Sequence, residues 1–499
     1  MAHSRPESSQ TETRPKKKLR LHIKELIFRF NARQLLLLPQ CTIQGRILMK
    51  NIYRVLSLVL LMAPVMNAQI NIKFEQYRLD NGMNVILHED HSAPVAAVVV
   101  MYHVGSKNEK PKRTGFAHLF EHMMFKGSAH VADGEHFKLL QEIGANINGF
   151  TTEDGTTYFE VVPSNYLELG LYLESDRMGF LLDAVTQGKL DNQRDVVKNE
   201  RRQNVDNRPY GTASEQIAKA LYPETHPYSW PVIGYMEDLS AASLEDVKDF
   251  FRTYYSPNNA CLVISGDFKP SDAKSLVEKY FKPFSAGKKF DRPGVKAVTL
   301  PQEKRLTFED KVQLPRLYLT WPSVENNTRE DAVLSTLGQI LSSGKNSRFY
   351  KALVYERQIA QSVNAFQNGL EIAGVFQTQI TAKPGRTLTE MQAAVDSILD
   401  DVLKNGVTEK EIEKALTSTE VQIVNSYTTV LGKATSLANY YSFTGDPNNI
   451  NKQMDLYKGI TPEEILSVAK KYLTKPKVVF SAVPLGKPEL AAQKIQKEN

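Results

Sequence analysis

Two histidines and a glutamate stand close together in the segment H-L-F-E-H, which runs from His118 to His122. On an α-helix, side chains four positions apart lie one above the other on the same face. Two imidazoles placed in this way can bind one metal ion and leave positions for a third ligand and a water molecule. Glu121 flanks the same face and can take a proton from that water. The spacing therefore predicts a hydrolytic metal site.

A third, acidic ligand is available further along the chain. The predicted helix L-D-N-Q-R-D-V-V-K-N-E-R-R-Q-N carries Asp195 and Glu200 beyond its first turn, and Glu200 follows His122 by 78 positions. A carboxylate oxygen is a common zinc ligand beside two histidines. The alternative is a surface carboxylate paired with a neighbouring arginine, the usual role of a glutamate on an exposed helix.

The elements around these residues indicate an α+β fold. Asp80-Asn81-Gly82 separates two strand-like runs, and Asn-Gly is a favoured turn pair in a β-hairpin. Further strands are predicted over 96–104 and 156–162. Helices are predicted around 115–125, 133–143, 164–186, 190–205 and 211–221. This order favours a largely antiparallel sheet with helices covering one face.

An internal duplication divides the chain into two related halves. The segment that begins at Ser243 matches the segment that begins at Thr461, at an offset of 218 residues. Each is predicted to open with a capping box, to continue as an amphipathic helix and to run into a short strand. The predicted organisation is an N-terminal zinc-binding domain over 69–285, a linker over 286–303, a C-terminal homologous domain over 304–486 and a tail over 487–499.

Composition and charge restrict the class of protein. With 499 residues, 41% hydrophobic and 24% charged, the chain is globular and too long for one hydrophobic core. The net charge of +6 comes from residues 1–68, so the rest of the chain is mildly acidic and carries no general signature of nucleic-acid binding. The two cysteines, Cys41 and Cys261, predict no internal disulfide, and Cys261 lies in an apolar strand-like run.

The N-terminus contains a segment typical of a secretory signal peptide, over residues 49–68. Lys50 and Arg54 precede an apolar run, and Ala68 is a plausible cleavage residue. We therefore interpret residues 1–48 as an over-extended translation start and expect a periplasmic or secreted protein. The alternative is an organellar, mitochondrial presequence, because residues 1–48 hold ten basic residues. No later apolar run is long enough to predict a transmembrane anchor.

The context of the histidines resembles the pitrilysin/insulinase family of zinc peptidases, whose members carry the H-x-x-E-H signature. The segment G-F-A-H-L-F-E-H-M-M-F-K-G-S, from Gly115 to Ser128, carries the likeness, which extends over about residues 74–485. The chain resembles a catalytic subunit of the two-chain, mitochondrial-processing-peptidase-like branch. The resemblance implies two tandem homologous α+β domains that form half of a clamshell, and a metalloendopeptidase that hydrolyses short or unfolded peptides.

The resemblance also implies roles for individual residues. Zinc, one ion per chain, would be held by His118, His122 and Glu200, and Glu121 would be the catalytic base. A substrate-binding edge strand would follow the metal helix, at Asn148, Gly149, Phe150 and Thr151. Such an edge binds an extended peptide through main-chain hydrogen bonds. The alternative for this stretch is an ordinary sheet strand with polar turn residues.

Two departures from the family pattern affect these expectations. Gln193 stands seven residues before Glu200, where many relatives carry a further glutamate that tunes the metal site. In the second half, Val354 and Gln361 replace an arginine and a tyrosine that help to hold the substrate carbonyl in the transition state. We therefore expect a homologous partner subunit that carries the Arg/Tyr pair and lacks the zinc motif. The alternative functions are an organellar presequence-processing peptidase and a non-catalytic scaffold subunit.

Overall fold

Two mostly antiparallel β-sheets with helices packed on them form the part of the protein that the computed structural model describes, residues 71–292 and 297–494. The strands are β1 (Glu75–Arg78), β2 (Asn84–Glu89), β3 (Val95–Tyr102), β4 (Asn146–Thr151), β5 (Thr156–Pro163), β6 (Ala260–Gly266), β7 (Lys304–Asp310), β8 (Arg316–Ser323), β9 (Ala360–Gly369), β10 (Gly374–Ala382) and β11 (Val478–Pro484). The mixed α+β class expected from the sequence is confirmed.

The α-helices are α1 (Phe116–Met123), α2 (Glu135–Glu142), α3 (Leu167–Ala184), α4 (Gln187–Arg201), α5 (Ala213–Leu221), α6 (Met236–Ala241), α7 (Leu244–Tyr254), α8 (Pro270–Phe281), α9 (Arg329–Ser342), α10 (Leu388–Asn405), α11 (Glu409–Ser426), α12 (Val430–Thr444), α13 (Asn449–Lys452) and α14 (Pro462–Leu473). Two short π-helices, 202–206 and 350–356, add to them. None of the described helices is long and apolar enough to cross a membrane. The predicted signal peptide over 49–68 and the segment 1–48 lie outside the described residues.

Five strands of the first sheet have the same topology as the five strands of the second sheet, as the duplication in the sequence implies, and β1 is additional. The first has the order β1-β2-β6-β3-β5-β4 and the second the order β7-β11-β8-β10-β9. In each sheet one parallel pair, β2 with β6 or β7 with β11, is followed by antiparallel strands that end at an open edge. β9 in the second sheet therefore corresponds to β4 in the first.

The first hairpin forms at the predicted turn. β1 pairs with β2 in antiparallel register, from Glu75 opposite Leu87 to Arg78 opposite Asn84. Gly82 in the turn has φ +89°, a conformation that residues with a Cβ atom rarely adopt. Asn81 is buried and donates from its amide to the carbonyl of Phe281, which ties the turn to the end of α8.

Each half of the chain contributes one helix to the sheet of the other half. α12, from the second half, packs its small buried residues Ala434 and Ala438 on the face of the first sheet that contains Val99 and Val263. α5, from the first half, packs on the second sheet beside Phe480. We expected helices on one face of each sheet, and the sequence does not reveal that the opposite face is covered by the other half.

The predicted capping boxes differ between the two copies. At Ser243 the reciprocal pair with Asp246 is complete. Thr461 accepts from the backbone of Glu464, and Arg329 binds the Glu464 carboxylate through two nitrogens at 2.7 and 2.6 Å. Contact with Arg329 and a weaker one with the Thr461 backbone both lower the pKa of the Glu464 carboxyl, so this carboxylate is shared between Arg329 and the start of α14.

The linker and the tail are held more firmly than their composition indicates. Arg292, within the predicted linker 286–303, donates to the carbonyl of His103 at 3.0 Å. The predicted tail, 487–499, does not fray where it is described. Ala491 and Ala492 are buried, and Ala492 donates to the hydroxyl of Ser481 at 3.1 Å. Both alanines belong to the second hydrophobic cluster, which also contains Val479 and Val483 of β11.

Candidate metal centre

Helix α1 has one face in the core and one face in a cleft. Leu119, Phe120 and Met123 are buried in the main cluster of the first half. His118 and His122 lie on the other face, with side chains 13% and 22% exposed. Their rings are neighbours, with centroids 4.8 Å apart. The predicted helical placement of the two histidines is therefore confirmed by the geometry.

The start of α1 is fixed by a buried carboxylate and by two glycines. Glu109 accepts hydrogen bonds from the backbone N–H groups of Gly115 and Ala117, at 2.9 and 2.8 Å. A carboxylate is favourable at a helix N-terminus, where these groups lack partners within the helix. Gly115 has φ +81°, and a Cβ there would lie 2.8 Å from the Cα of Gly234. The histidines thus project from a well-anchored helix.

Helix α4 brings Glu200 to the same cleft. Its buried residues Leu190, Gln193 and Val197 follow a helical stripe, and its last residue, Arg201, is also buried. The Arg201 guanidinium donates to the carbonyl of Gly234 at 2.8 Å and to Glu215 at 2.9 Å. This anchor turns Arg201 towards the core and leaves the neighbouring Glu200 on the cleft side.

The three predicted ligands converge. Glu200 Oε2 lies 3.6 Å from His118 Nε2 and 3.4 Å from His122 Nε2. Ligand atoms about 2.0–2.2 Å from a tetrahedral zinc ion are themselves about 3.3–3.6 Å apart. Within the described ranges, this is the single group of three or more such side chains close enough to share an ion. The spacing and the donor set fit zinc. Asp195, the other acidic residue of the same helix considered from the sequence, is not part of the group.

The pKa shifts of the two histidines have opposite directions. Burial and the neighbouring His122 lower the pKa of His118 to about 4, so its imidazole is neutral at pH 7, the form that binds metals. Burial lowers the pKa of His122, but its contacts with Glu200 and Glu121 outweigh burial and leave that pKa raised. Contact with His122 lowers the pKa of Glu200.

Glu121 lies beside this group without belonging to it. Its side chain is buried, and burial raises the pKa of its carboxyl, whereas a hydrogen bond from Thr151 lowers it. Thr151 Oγ1 donates to Glu121 Oε2 at 2.6 Å. The carboxylate is therefore held in one orientation by the end of strand β4.

Strand β4 forms the open edge of the first sheet, next to α1. Phe150 is exposed, and Asn148 accepts a hydrogen bond from the N–H of Gly149 through its own side chain. A Cβ at Gly149 would lie 3.1 Å from the ring of Tyr158, so glycine allows the strand to lie close to β5. The side chain of Thr151 contacts Glu121. The other three predicted substrate residues, Asn148, Gly149 and Phe150, lie along the open edge of β4.

Gln193, the departure from the family pattern, reaches the site. Its side chain is buried and hydrogen bonds to His122, which raises the pKa of that imidazole. The same amide donates to Asn192 at 2.7 Å. Gln193 is therefore an uncharged outer partner of a metal-site histidine.

The second half contains a corresponding cleft without metal ligands. There α9 lies against β9, as α1 lies against β4. Ser335 and Gln339 lie on α9. Gln339 Nε2 donates to Gln422 Oε1 at 3.5 Å. The side chains of Ser335, Gln339 and Gln422 all line this cleft. Neutral amides and a hydroxyl cannot replace two imidazoles and a carboxylate as zinc ligands.

The positions that depart from the Arg/Tyr pattern are separated in the second half. Val354 lies in the π-helix 350–356 and packs against the second core. Gln361 is exposed at the start of β9 and lines a cavity of about 440 Å³. Arg316 also lines this cavity, with its guanidinium 3.7 Å from the ring centre of Tyr210. Neither Val354 nor Gln361 supplies a cation or a phenol.

Comparison with known families identifies the family and supports the fold. Residues 84–229 match the family described as Insulinase (Peptidase family M16), and residues 241–419 match the domain described as Peptidase M16 inactive domain. The first match contains the two histidines. The chain belongs to the M16, or pitrilysin/insulinase, family. The resemblance drawn from the motif is confirmed, and the description of the second domain agrees with a second M16 cleft that has no ligands.

Individual M16 relatives cover most of the chain. The zinc protease PqqE of Helicobacter pylori is 26% identical over 417 residues, 82% of this chain and 92% of that protein. A crystal structure of a protease from the same organism superposes with a TM-score of 0.77 at 24% identity, covering 83% of this chain and all of that one. The periplasmic protease PqqL of Escherichia coli superposes with a TM-score of 0.69 at 18% identity, covering 86% of this chain and 49% of PqqL.

One residue and one contact at the site were not expected from the sequence. Glu109 caps α1, and Thr151, predicted to bind substrate, also contacts the candidate base. Glu109 carries one local signal, since it is a carboxylate seven residues before the start of the helix, which is further from the helix than the usual capping positions. The partner of Thr151 depends on sheet register, which the sequence does not reveal.

Proposed function

We propose that this M16 protein is a zinc-dependent endopeptidase. The observation that carries the proposal is the convergence of His118, His122 and Glu200 on one cleft, with the buried Glu121 carboxylate beside them. The named zinc protease PqqE, similar over most of its length, supports the same activity. A scaffold role is supported only for the second half, whose matching cleft has lost the ligand types.

Each residue of the cleft would have a separate role in hydrolysis. His118, His122 and Glu200 would hold the zinc ion, which supplies Lewis acidity to the peptide carbonyl and to the attacking water. Glu121 would accept a proton from that water as its oxygen attacks the carbonyl carbon. The same carboxyl would then give a proton to the leaving amine as the C–N bond breaks. Thr151 would keep the carboxylate in position for both transfers.

The open edge of β4 would bind the substrate. A sheet edge offers unpaired N–H and C=O groups, and an extended peptide can add to them as a further strand. Asn148, Gly149 and Phe150 would form this surface, because they lie on the exposed edge next to α1. Such binding depends on the main chain of the peptide more than on its side chains, and it needs the peptide to be extended. Short or unfolded peptides are therefore the expected substrates.

We further propose that the active unit contains a second, homologous subunit. Val354 and Gln361 leave this chain without the donors that family members use to stabilise the transition state, and a partner with the Arg/Tyr pair would supply them. The relation to PqqL supports this arrangement, because the chain spans about half of that protein's length. PqqL is described as periplasmic, which supports a periplasmic or secreted location for this protein.

The test of the proposed activity is removal and return of the metal. The purified protein, with its partner subunit present, is assayed on an unstructured fluorogenic peptide before and after treatment with a chelator. We expect hydrolysis to stop on zinc removal and to return when about one zinc per chain is added back. Hydrolysis that continues at the same rate in the zinc-free protein contradicts the proposal.

A further inference from the structure

A buried ionic cluster joins the second half of the chain to the candidate peptidase site. Its centre is Lys107, which is 2% exposed. The Lys107 ammonium group lies 3.0 Å from Asp154 Oδ1 and also contacts Glu371 Oε2. His103 Nε2 lies 2.7 Å from the same Glu371 oxygen, and Tyr228 donates to Asp154 at 2.6 Å. Four of the five residues belong to the first half, and Glu371 belongs to the second.

Glu371 reaches the cluster from the turn between β9 and β10. Its backbone N–H donates to Asp154 Oδ2 at 2.8 Å, and the N–H of Ile372 donates to the Tyr228 hydroxyl at 3.2 Å. Burial raises the pKa of the Glu371 carboxyl, but contacts with His103 and Lys107 outweigh burial and lower it to about 2. Glu371 is therefore a fixed anion inserted between two segments of the first half.

The first of these segments is the approach to α1. The N–H groups of Ser106 and Lys107 donate to the carbonyls of Thr152 and Glu153, at 3.2 and 3.0 Å. This close backbone pairing requires glycine at the preceding position, because a Cβ on Gly105 would lie 2.4 Å from both carbonyl oxygens. The same segment then leads into Glu109, which caps the metal helix.

The second segment is the turn between β4 and β5. Asp154 lies in this turn, which closes with a hydrogen bond from the N–H of Thr152 to the carbonyl of Gly155. Thr151, the last residue of β4, immediately precedes the turn and donates to Glu121. The cluster thus holds together the approach to the metal helix and the end of the substrate edge.

We propose that Glu371 is a positioning residue of the peptidase site, which holds the β4–β5 turn against the segment before α1 and so keeps Thr151 opposite Glu121. The proposal rests on the proposed endopeptidase function. It makes the catalytic geometry of the zinc-binding half depend on a side chain from the half that has no metal ligands. Glu371 touches neither substrate nor metal in this account and acts through Lys107 and Asp154.

The test compares Glu371→Ala with Glu371→Gln in the full-length, zinc-loaded protein with its partner subunit. The alanine variant removes the acceptor of Lys107, so we expect kcat to fall by about 10-fold to 100-fold, as for other outer partners of active sites. The glutamine variant keeps an oxygen at the same reach and should recover most of that loss. Both variants should retain about one zinc per chain.

The matched control is Glu464→Ala. Glu464 also belongs to the second half and binds an arginine, Arg329, but has no contact with the β4–β5 turn. We expect its kcat to stay within about twofold of the wild type. If Glu371→Ala and Glu464→Ala lower kcat equally, Glu371 contributes only to general stability and the proposal is overturned.

A double variant separates positioning from destabilisation. If Glu371 acts through Thr151, adding Glu371→Ala to Thr151→Val should lower kcat by no more than about twofold beyond the more damaging single change, because coupled residues are not additive. Losses that multiply would overturn the proposed route.

Hydrogen exchange gives a readout that does not depend on activity. In Glu371→Ala, the amides of residues 146–155 should exchange at least about tenfold faster, whereas those of β7 should not change. Unchanged exchange at 146–155 overturns the positioning role even if the enzyme is active. A wild-type enzyme that hydrolyses no peptide, with faster exchange in the variant, would instead overturn the proposed function and keep the structural coupling.

Discussion

The hydroxyl of Thr151 donates a hydrogen bond to the carboxylate of Glu121, with 2.6 Å between Oγ1 and Oε2. The bond joins the last residue of the sheet edge to the candidate base on the metal helix. In the proposed mechanism the other carboxylate oxygen, Oε1, would take the proton from water. The site therefore depends on the register of β4 as much as on the helix.

Replacing Thr151 with valine should separate this bond from the shape of the side chain. We expect Thr151→Val to bind zinc normally and to lose about 10-fold to 100-fold in kcat, because the base is no longer held by an outer partner. Steady-state kinetics and metal analysis measure both effects. Thr307→Val, at an exposed position of β7, is the control. Wild-type kcat in Thr151→Val would show that the hydroxyl does not orient the base.

Each of the three proposed ligands should be needed for zinc. The wild type should contain about one zinc per chain, and His118→Ala, His122→Ala and Glu200→Ala should each lose most of it, because a three-ligand site has no spare donor. Metal analysis after dialysis decides this. His91→Ala removes an exposed histidine that pairs with Asp267 and should have no effect. Full zinc occupancy in all three ligand variants would refute the assignment.

The exchange of helices between the halves predicts that neither half is stable alone. A fragment of residues 71–292 lacks α12 and exposes the sheet face that contains Ile86, Val99 and Val263. Large exposed apolar surfaces promote aggregation or loss of fixed packing. We expect the fragment to show no cooperative thermal transition, and co-expression with the remainder to restore one. A cooperative transition of the fragment alone, near that of the whole protein, would contradict this expectation.

The missing Arg/Tyr pair predicts weak activity for the isolated chain. A donor aimed at the developing oxyanion commonly contributes about 3–4 kcal/mol, or 10²–10³ in rate. Assays on unstructured peptides, with and without a homologous subunit that carries the pair, should differ by about this factor. Full activity of the chain alone would refute the two-chain proposal. In that case Arg316, in the cavity beside Gln361, is the first residue to substitute.

Local patterns in the sequence predict the relative placement of the two histidines well. His118 and His122 share a helix face because the i, i+4 spacing leaves no other arrangement, and the structure brings Glu200 to them. The first hairpin is equally local, since Asp80-Asn81-Gly82 specifies its own turn. Glu200 needed the family resemblance, because Asp195 on the same helix has the same chemistry and only the orientation set by Arg201 separates them.

Contacts between the halves could not be predicted in this way. Lys107 and Glu371 are 264 positions apart, and neither lies in a pattern that identifies the other. The crossing of α12 onto the first sheet is similarly hidden, because its apolar stripe is compatible with packing on either sheet. Such pairings depend on the tertiary arrangement, so the structure was needed to connect Glu371 to Thr151 and Glu121.

Glu121→Gln tests most directly whether Glu121 is the base of a zinc endopeptidase. Glutamine preserves the shape and the contact with Thr151 but cannot take the proton from water. The measurement is peptide hydrolysis by the zinc-loaded variant, with its partner subunit, beside the wild type. We predict that the variant keeps about one zinc per chain and loses at least about 10²-fold to 10⁴-fold in kcat. Hydrolysis within a few-fold of the wild type, with zinc bound, would contradict the account.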